Sequence, residues 1–226
     1  MSLRQPVQLQ PYRGHVLVTP PAVEPVTLNS VKATLSLEGT CDDEMIMEFI
    51  SAARTYIEEV TGLAMISQVW LLSLDRWPSG QEPWWDGWRQ GSRMELTGPG
   101  SWGPLVMPRY PLQSVDDVET FNETGNGTMV NIGATFDVDV YQRPGRVSLK
   151  QGATWPIAMR STDAIRMTYT AGYGDAAASV PAPLRTAVRQ MALYLYTHRG
   201  DGCDVGSAYR DSGAAGMADA YKVARL

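Results

Sequence analysis

The chain has 226 residues, 44% of them hydrophobic and 19% charged, the composition of an ordinary globular protein with one large or two small domains. Its formal net charge of −5 argues against gripping a nucleic-acid backbone over a wide surface, which takes Lys and Arg to displace counterions, yet leaves room for DNA to slide past a mildly repelling wall. No apolar run approaches membrane-spanning length, the N-terminus lacks a signal-peptide core, and Cys41 and Cys203 lie far apart, so a cytoplasmic product with free thiols and no membrane contact is expected.

Residues 1–26 carry five of the fifteen prolines and no helical period. They read as an N-terminal arm, extended where His15 to Thr19 alternates, lying on a neighbour or loose. A first helix is predicted near 27–37, with Thr27 as cap and Leu28, Val31 and Leu35 as its apolar stripe. A second is predicted over 42–61, where Ile46, Phe49, Ile50, Ala53, Tyr56, Ile57 and Val60 recur at spacings of three and four. Glu48, Arg54, Glu58 and Glu59 fall between them and are expected to face water, with Arg54 and Glu58 weakly paired. Thr40 or Asp42 can cap this helix and Gly62 can end it in a left-handed turn. Neither helix can bury its stripe alone.

After Gly62 the period changes. Strands are predicted over 66–75, 105–108, 114–122, 128–131, 135–141, 146–149 and 163–171, from runs of β-favouring residues and from alternation such as Phe136, Val138 and Val140 against Asp137 and Asp139. Asn126-Gly127 is a turn signal. Residues 76–104 are rich in Pro, Gly and Trp, and six of the seven tryptophans fall between Trp70 and Trp102. A long loop of this kind often carries a contact. Trp84, Trp85 and Trp88 are its candidates, for a protein partner or for stacking on sugar rings.

Helix returns over 181–199, where Pro181 and Pro183 suit a first turn and Leu184, Val188, Met191, Ala192 and Leu195 make the stripe. This segment is the expected partner of 42–61. Arg185 and Arg189, four apart, are expected to be neutralised by Glu58 or Glu59. Residues 200–213 read as a linker. Residues 214–226 read as a short helix with Met217 and Tyr221 four apart, marginal alone and expected to fold onto a partner.

Motifs for chemistry are weak. Gly98-Pro-Gly100-Ser-Trp-Gly103 spells a dinucleotide fingerprint, but Pro104 follows and no helix begins there. Asn122-Glu-Thr124 and Asn126-Gly-Thr128 spell glycosylation acceptors and read as turns. Asp116 with Asp117, or Asp137 with Asp139, lack the further oxygens of a cation loop. His15 and His198 are the only histidines, and neither has triad or zinc spacing around it. No catalytic residue, cofactor or metal is expected, and the chain does not read as an enzyme.

The fold class is α+β. The expected organisation is an arm over 1–26, a helical core from 27–63 plus 180–199, an inserted antiparallel β domain over 64–175, and a linker with C-terminal tail over 200–226.

Several segments, in their order and spacing, resemble the head–tail adaptor (connector, head-completion) proteins of long-tailed phages and related gene-transfer particles. They are Val18 to Leu28, Asp42-Asp43, Ala52-Ala53-Arg54 to Thr61-Gly62, Tyr110-Pro-Leu-Gln-Ser-Val115, Pro144-Gly145-Arg146, Thr154-Trp-Pro156, Thr170 to Gly174, Val180 to Arg185, and Ala220 to Arg225. The resemblance implies a virion protein forming a homo-oligomeric ring, a dodecamer, beneath the portal. Such a ring extends the DNA channel, passes DNA without sequence-specific binding, and docks the stopper or tail proteins. It also implies a C-terminal segment that reaches the portal, with Met217, Tyr221, Val223 and Leu226 as apolar anchors. The alternative is a virion decoration or tail module that binds glycan through loop 84–88.

Overall fold

The computed structural model describes residues 13–78, 103–153, 159–201 and 204–222. They form an α+β protein with two apolar cores, one among helices and one between two antiparallel sheets.

Helix α1, Leu28–Leu35, starts where the Thr27 side chain accepts from the Ser30 amide, and ends at Ser36 in a left-handed conformation. Helix α2, Asp43–Thr61, ends at Gly62, whose φ is 80°. Ile46, Ile50, Ala53 and Ile57 are buried along one face of α2. They meet Leu184, Ala187, Val188 and Met191 of helix α4, Ala182–Thr197, in one core. Two distant amphipathic segments thus bury each other's stripes, as the sequence requires. Asp42 is the N-cap residue of α2, but its carboxylate makes no cap bond and accepts from the Tyr196 hydroxyl of α4 at 2.6 Å. The N-terminal end of α2 is therefore tied to the C-terminal end of its partner.

The larger sheet has the order β1-β2-β8-β4-β5, with β1 Arg13–Thr19, β2 Gln68–Leu74, β4 Leu112–Phe121, β5 Gly127–Met129 and β8 Ile165–Ala171. The smaller has the order β3-β7-β6, with β3 Leu105–Val106, β6 Phe136–Asp139 and β7 Arg146–Leu149. A four-residue helix α3, Ile132–Thr135, leads into β6. Every predicted strand has a counterpart, because period-two alternation survives wherever one face is buried. In β8, Ile165, Met167 and Tyr169 are wholly buried, whereas Arg166 is exposed.

Four expectations need correction. The N-terminal segment is not a free arm from residue 13 onward, since it forms the edge strand β1 beside β2. The His15 ring stacks on Trp70 at 4.3 Å and shares a 2.7 Å hydrogen bond with the Tyr169 hydroxyl, which holds the strand down. The turn before β5 has its positive φ at Gly125, and Asn122 Oδ1 gathers it by accepting from the amides of Thr124 and Asn126. Asn126-Gly127 only feeds the strand. Arg54 and Glu58 do not face water, being 8% and 5% exposed. Nor do Glu58 and Glu59 neutralise Arg185 and Arg189, because they are taken by Arg54 and Arg109.

Gly172, just after β8, marks where the sheet meets the turn that follows α2. Its φ is 144°, and a Cβ there would lie 2.6 Å from the Ile66 carbonyl oxygen. The obstacle is backbone, which cannot rotate aside. Gly172→Ala is expected to destabilise the protein by about 3 kcal/mol, combining φ strain with overpacking, as read from the urea midpoint.

Candidate functional site

Chemistry is sparse in this structure. Among the described residues, no three His, Cys, Asp or Glu side chains come together as a possible metal site. Asp116 is occupied locally, accepting from Ser114 Oγ and Thr170 Oγ1, and Asp139 from Arg146. His198 lies at the C-terminal end of α4, stacked on Tyr194 at 3.9 Å. What the residues build instead is a rigid junction and a set of outward surfaces.

The junction centres on Glu58. Its Oε1 accepts from the Met65 amide at 2.7 Å and from Gln68 Nε2 at 2.8 Å, and its Oε2 accepts from Arg54 Nη1 at 2.8 Å. Arg54 Nε reaches Glu24 at 2.8 Å, which ties in the chain leading to α1. Arg109 donates to the Glu58 carbonyl at 2.7 Å, pairs with Glu59, and lies over the Trp70 ring at 4.8 Å. One buried carboxylate thus joins α2, the start of β2 and, through the main chain, the loop before β4. Burial raises the Glu58 carboxyl above its ordinary range, and the Arg54 charge, the Met65 amide and Gln68 offset part of that. All three neighbours donate to it, which meets part of the cost of burying the carboxylate. This network couples helices and sheet into one body, because breaking it would strand buried polar groups.

The C-terminal segment was expected to be a tail awaiting a partner. The structure seats it on its own chain. Helix α5, Val205–Asp211, is capped by Asp204, whose carboxylate accepts from the Ser207 amide at 2.9 Å. Helix α6, Ala214–Ala218, follows Gly213, whose φ is 79°. Ala208, Tyr209, Ala214 and Ala218 are buried in the helical core. Tyr209 lies 5.5 Å from Tyr56 ring to ring and donates to Asp219 at 2.6 Å. Burial, and then the Asp219 carboxylate, push its phenol well above the usual range. The Tyr110 hydroxyl bonds the carbonyls of Thr61 and Tyr221, pinning the segment's end to the junction. The physical reason is size. Alanines four apart let α6 lie close on α4 and bury backbone that a bulky stripe would hold away. That spacing of small residues was the signal sequence reasoning missed.

Met217 and Tyr221 are therefore half-buried against the protein's own helices. Val223 and Leu226, like Trp84, Trp85, Trp88 and Cys203, lie outside the described residues. The outward surfaces are of two kinds. Val16, Leu17 and Val18 are 56%, 40% and 54% exposed on edge strand β1. The helical layer presents an exposed Met47 on α2 and a cleft of about 290 Å³ between the start of α1 and that of α4.

No protein-family model and no curated protein matches the chain. Solved structures do. The chain resembles a component of the neck of an empty gene transfer agent particle, computed with C6 symmetry, at a TM-score of 0.70 and 20% identity over 95% of this chain and 97% of that one. A component of the native particle's neck, computed with C12 symmetry, matches at a TM-score of 0.66 and 20% identity over 95% and 97% of the two chains. A component of the native gene transfer agent virion matches at 0.65 and 21% over 94% and 96%. At such identity the likeness is one of fold, spanning nearly the whole length of both chains.

Proposed function

We propose that this chain is a structural virion protein of the particle neck, a head–tail adaptor that closes into a ring beneath the portal. The single observation that carries this reading is the near-complete overlap of its fold with neck components of gene transfer agent particles, with 95% of the chain matched to 97% of one neighbour. The symmetries of those necks, C6 and C12, support a closed ring, and twelve subunits are proposed. The rigid helix–sheet junction supports a mechanical role, since a ring that bears load needs subunits that do not flex at the waist. The net charge of −5 suits a channel through which DNA passes without being held. No step of catalysis is assigned to any residue.

In this reading one rim of the ring meets the portal and the other the stopper or tail proteins. Met217, Tyr221, Val223 and Leu226 are proposed as the portal contact. Because Met217 and Tyr221 are half-buried at home, what they offer outward is a partial face continued by the chain's last residues. The test is electron microscopy of portal-bearing heads mixed with the purified protein. A closed ring of density added at the portal vertex is expected. Protein that stays in solution or decorates the shell at other sites overturns the reading.

A further inference from the structure

Arg185 and Arg189 sit four apart on α4 and line the cleft together with Pro25, Val26, Thr27 and Ser30. Among the described residues, no acidic one lines it. Among the described residues neither guanidinium has an ion-pair or hydrogen-bonded side-chain partner, and the Arg185 Nε is buried with no acceptor at all. A buried donor left unmet is costly, so the site is unfinished in the single chain. Four carboxylates of this layer are already engaged. Glu24 and Glu58 hold Arg54, Glu59 holds Arg109, and Asp43 holds Lys32.

The matching surface lies elsewhere on the same protein. On α2, Glu44 lies three residues before Met47 and four before Glu48, and all three are exposed, Met47 by 56%. Neither glutamate has a partner among the described residues. The buried stripe of α2 turns inward, toward α4, so this ridge turns out. Pro25, Val26, Ala177 and Ala182 supply the apolar part of the cleft's lining. Residues four apart on a helix have Cβ atoms about 5–6 Å apart, so the two pairs have the same spacing.

We infer that the cleft of one subunit receives the Glu44–Met47–Glu48 ridge of the next copy, with a carboxylate on each guanidinium and Met47 against the apolar part of the lining. The two surfaces are different patches of one chain, so the contact is head-to-tail and repeats until its rotation closes. This inference rests on the ring reading above and names the contact that closes it. The partner is a second copy rather than DNA, because a phosphate backbone offers charge but nothing to fill the apolar floor.

The experiment uses the full-length protein in three charge-reversed forms: Arg185→Glu with Arg189→Glu, Glu44→Arg with Glu48→Arg, and all four together. Ring formation is read by native mass spectrometry and by electron microscopy on portal-bearing heads. Either pair alone should reduce rings at least about tenfold, since like charges are then juxtaposed across the interface. All four together should restore them to within about threefold of the starting protein. Circular dichroism checks folding; if the Arg185 change unfolds the chain, the single swap of Arg189→Glu with Glu48→Arg carries the test. Rings unaffected by either pair overturn this contact and leave the ring reading standing. Loss with the arginine pair, no loss with the glutamate pair, and no rescue means the cleft serves an acid from the portal or DNA, and overturns it too. If the unaltered protein makes no ring anywhere, both readings fall.

Discussion

Replacing Glu58 with alanine is expected to lower the unfolding free energy by about 3–5 kcal/mol, the cost of removing one partner from a buried charge pair. The loss has several sources. Buried Arg54 keeps Glu24 as its one charged partner, while the Met65 amide and Gln68 Nε2 lose their acceptor. The residual cavity sits where α2 hands the chain to β2, so sheet and helices are expected to uncouple. Urea unfolding followed by two probes, helical circular dichroism and tryptophan fluorescence, should show two separated transitions in place of one. A single coincident transition within 1 kcal/mol or so of the parent would mean the junction is held by packing alone. The pH dependence has a definite sign. Burial raises the Glu58 carboxyl above its ordinary 4.5, so the folded state holds that proton more tightly than the unfolded one. Its contribution to stability is fullest below that value and declines as pH rises toward the raised one. That slope should vanish in Glu58→Ala.

Ending the chain at Gly213 is expected to cost about 2–3 kcal/mol of stability as well as all attachment to portal-bearing heads. A tail that folded only on its partner could be cut without harm to the free protein. This one cannot, because Ala214 and Ala218 are buried in the helical core and Met217 and Tyr221 pack against it. The truncation also takes the Asp219 acceptor from Tyr209. Tyr209→Phe separates the two effects, since it removes only that bond and should weaken folding by about 1 kcal/mol while leaving attachment whole. The measurements are urea midpoints and co-sedimentation with heads. A truncated protein that keeps its midpoint would show that the seating on α4 contributes nothing. One that still co-sediments would remove residues 214–226 from the proposed portal contact.

Much of the fold was legible in the sequence. The stripes of 42–61 and 181–199 could be read because helical period and burial are the same fact seen twice. Thr27 and Gly62 were legible because helix ends impose local needs that few residues meet. Each strand could be placed because one buried face enforces alternation. The joining of β1 to β2 was not legible, since five residues of alternation name a strand and not its neighbour. The roles of Arg54, Glu58, Arg185 and Arg189 were misjudged for one reason: polarity in a sequence suggests water, and whether a charge finds water or a buried partner depends on what packs across from it.

The sequence by itself determined the order of the main helices and strands, though not helix α5 within the expected linker 200–213, together with the α+β class and the pairing of two far-apart helices, because these follow from periodicity, caps and the need to bury a stripe. Only the tertiary structure decided which charges are spent inside the molecule and which are left over. It also decided that the C-terminal helices lie on α4. Those outcomes rest on contacts between residues as much as 154 apart in the chain, as between Asp42 and Tyr196. Close approach, desolvation and the choice of partner are properties of the packed interior, and no local window of sequence contains them.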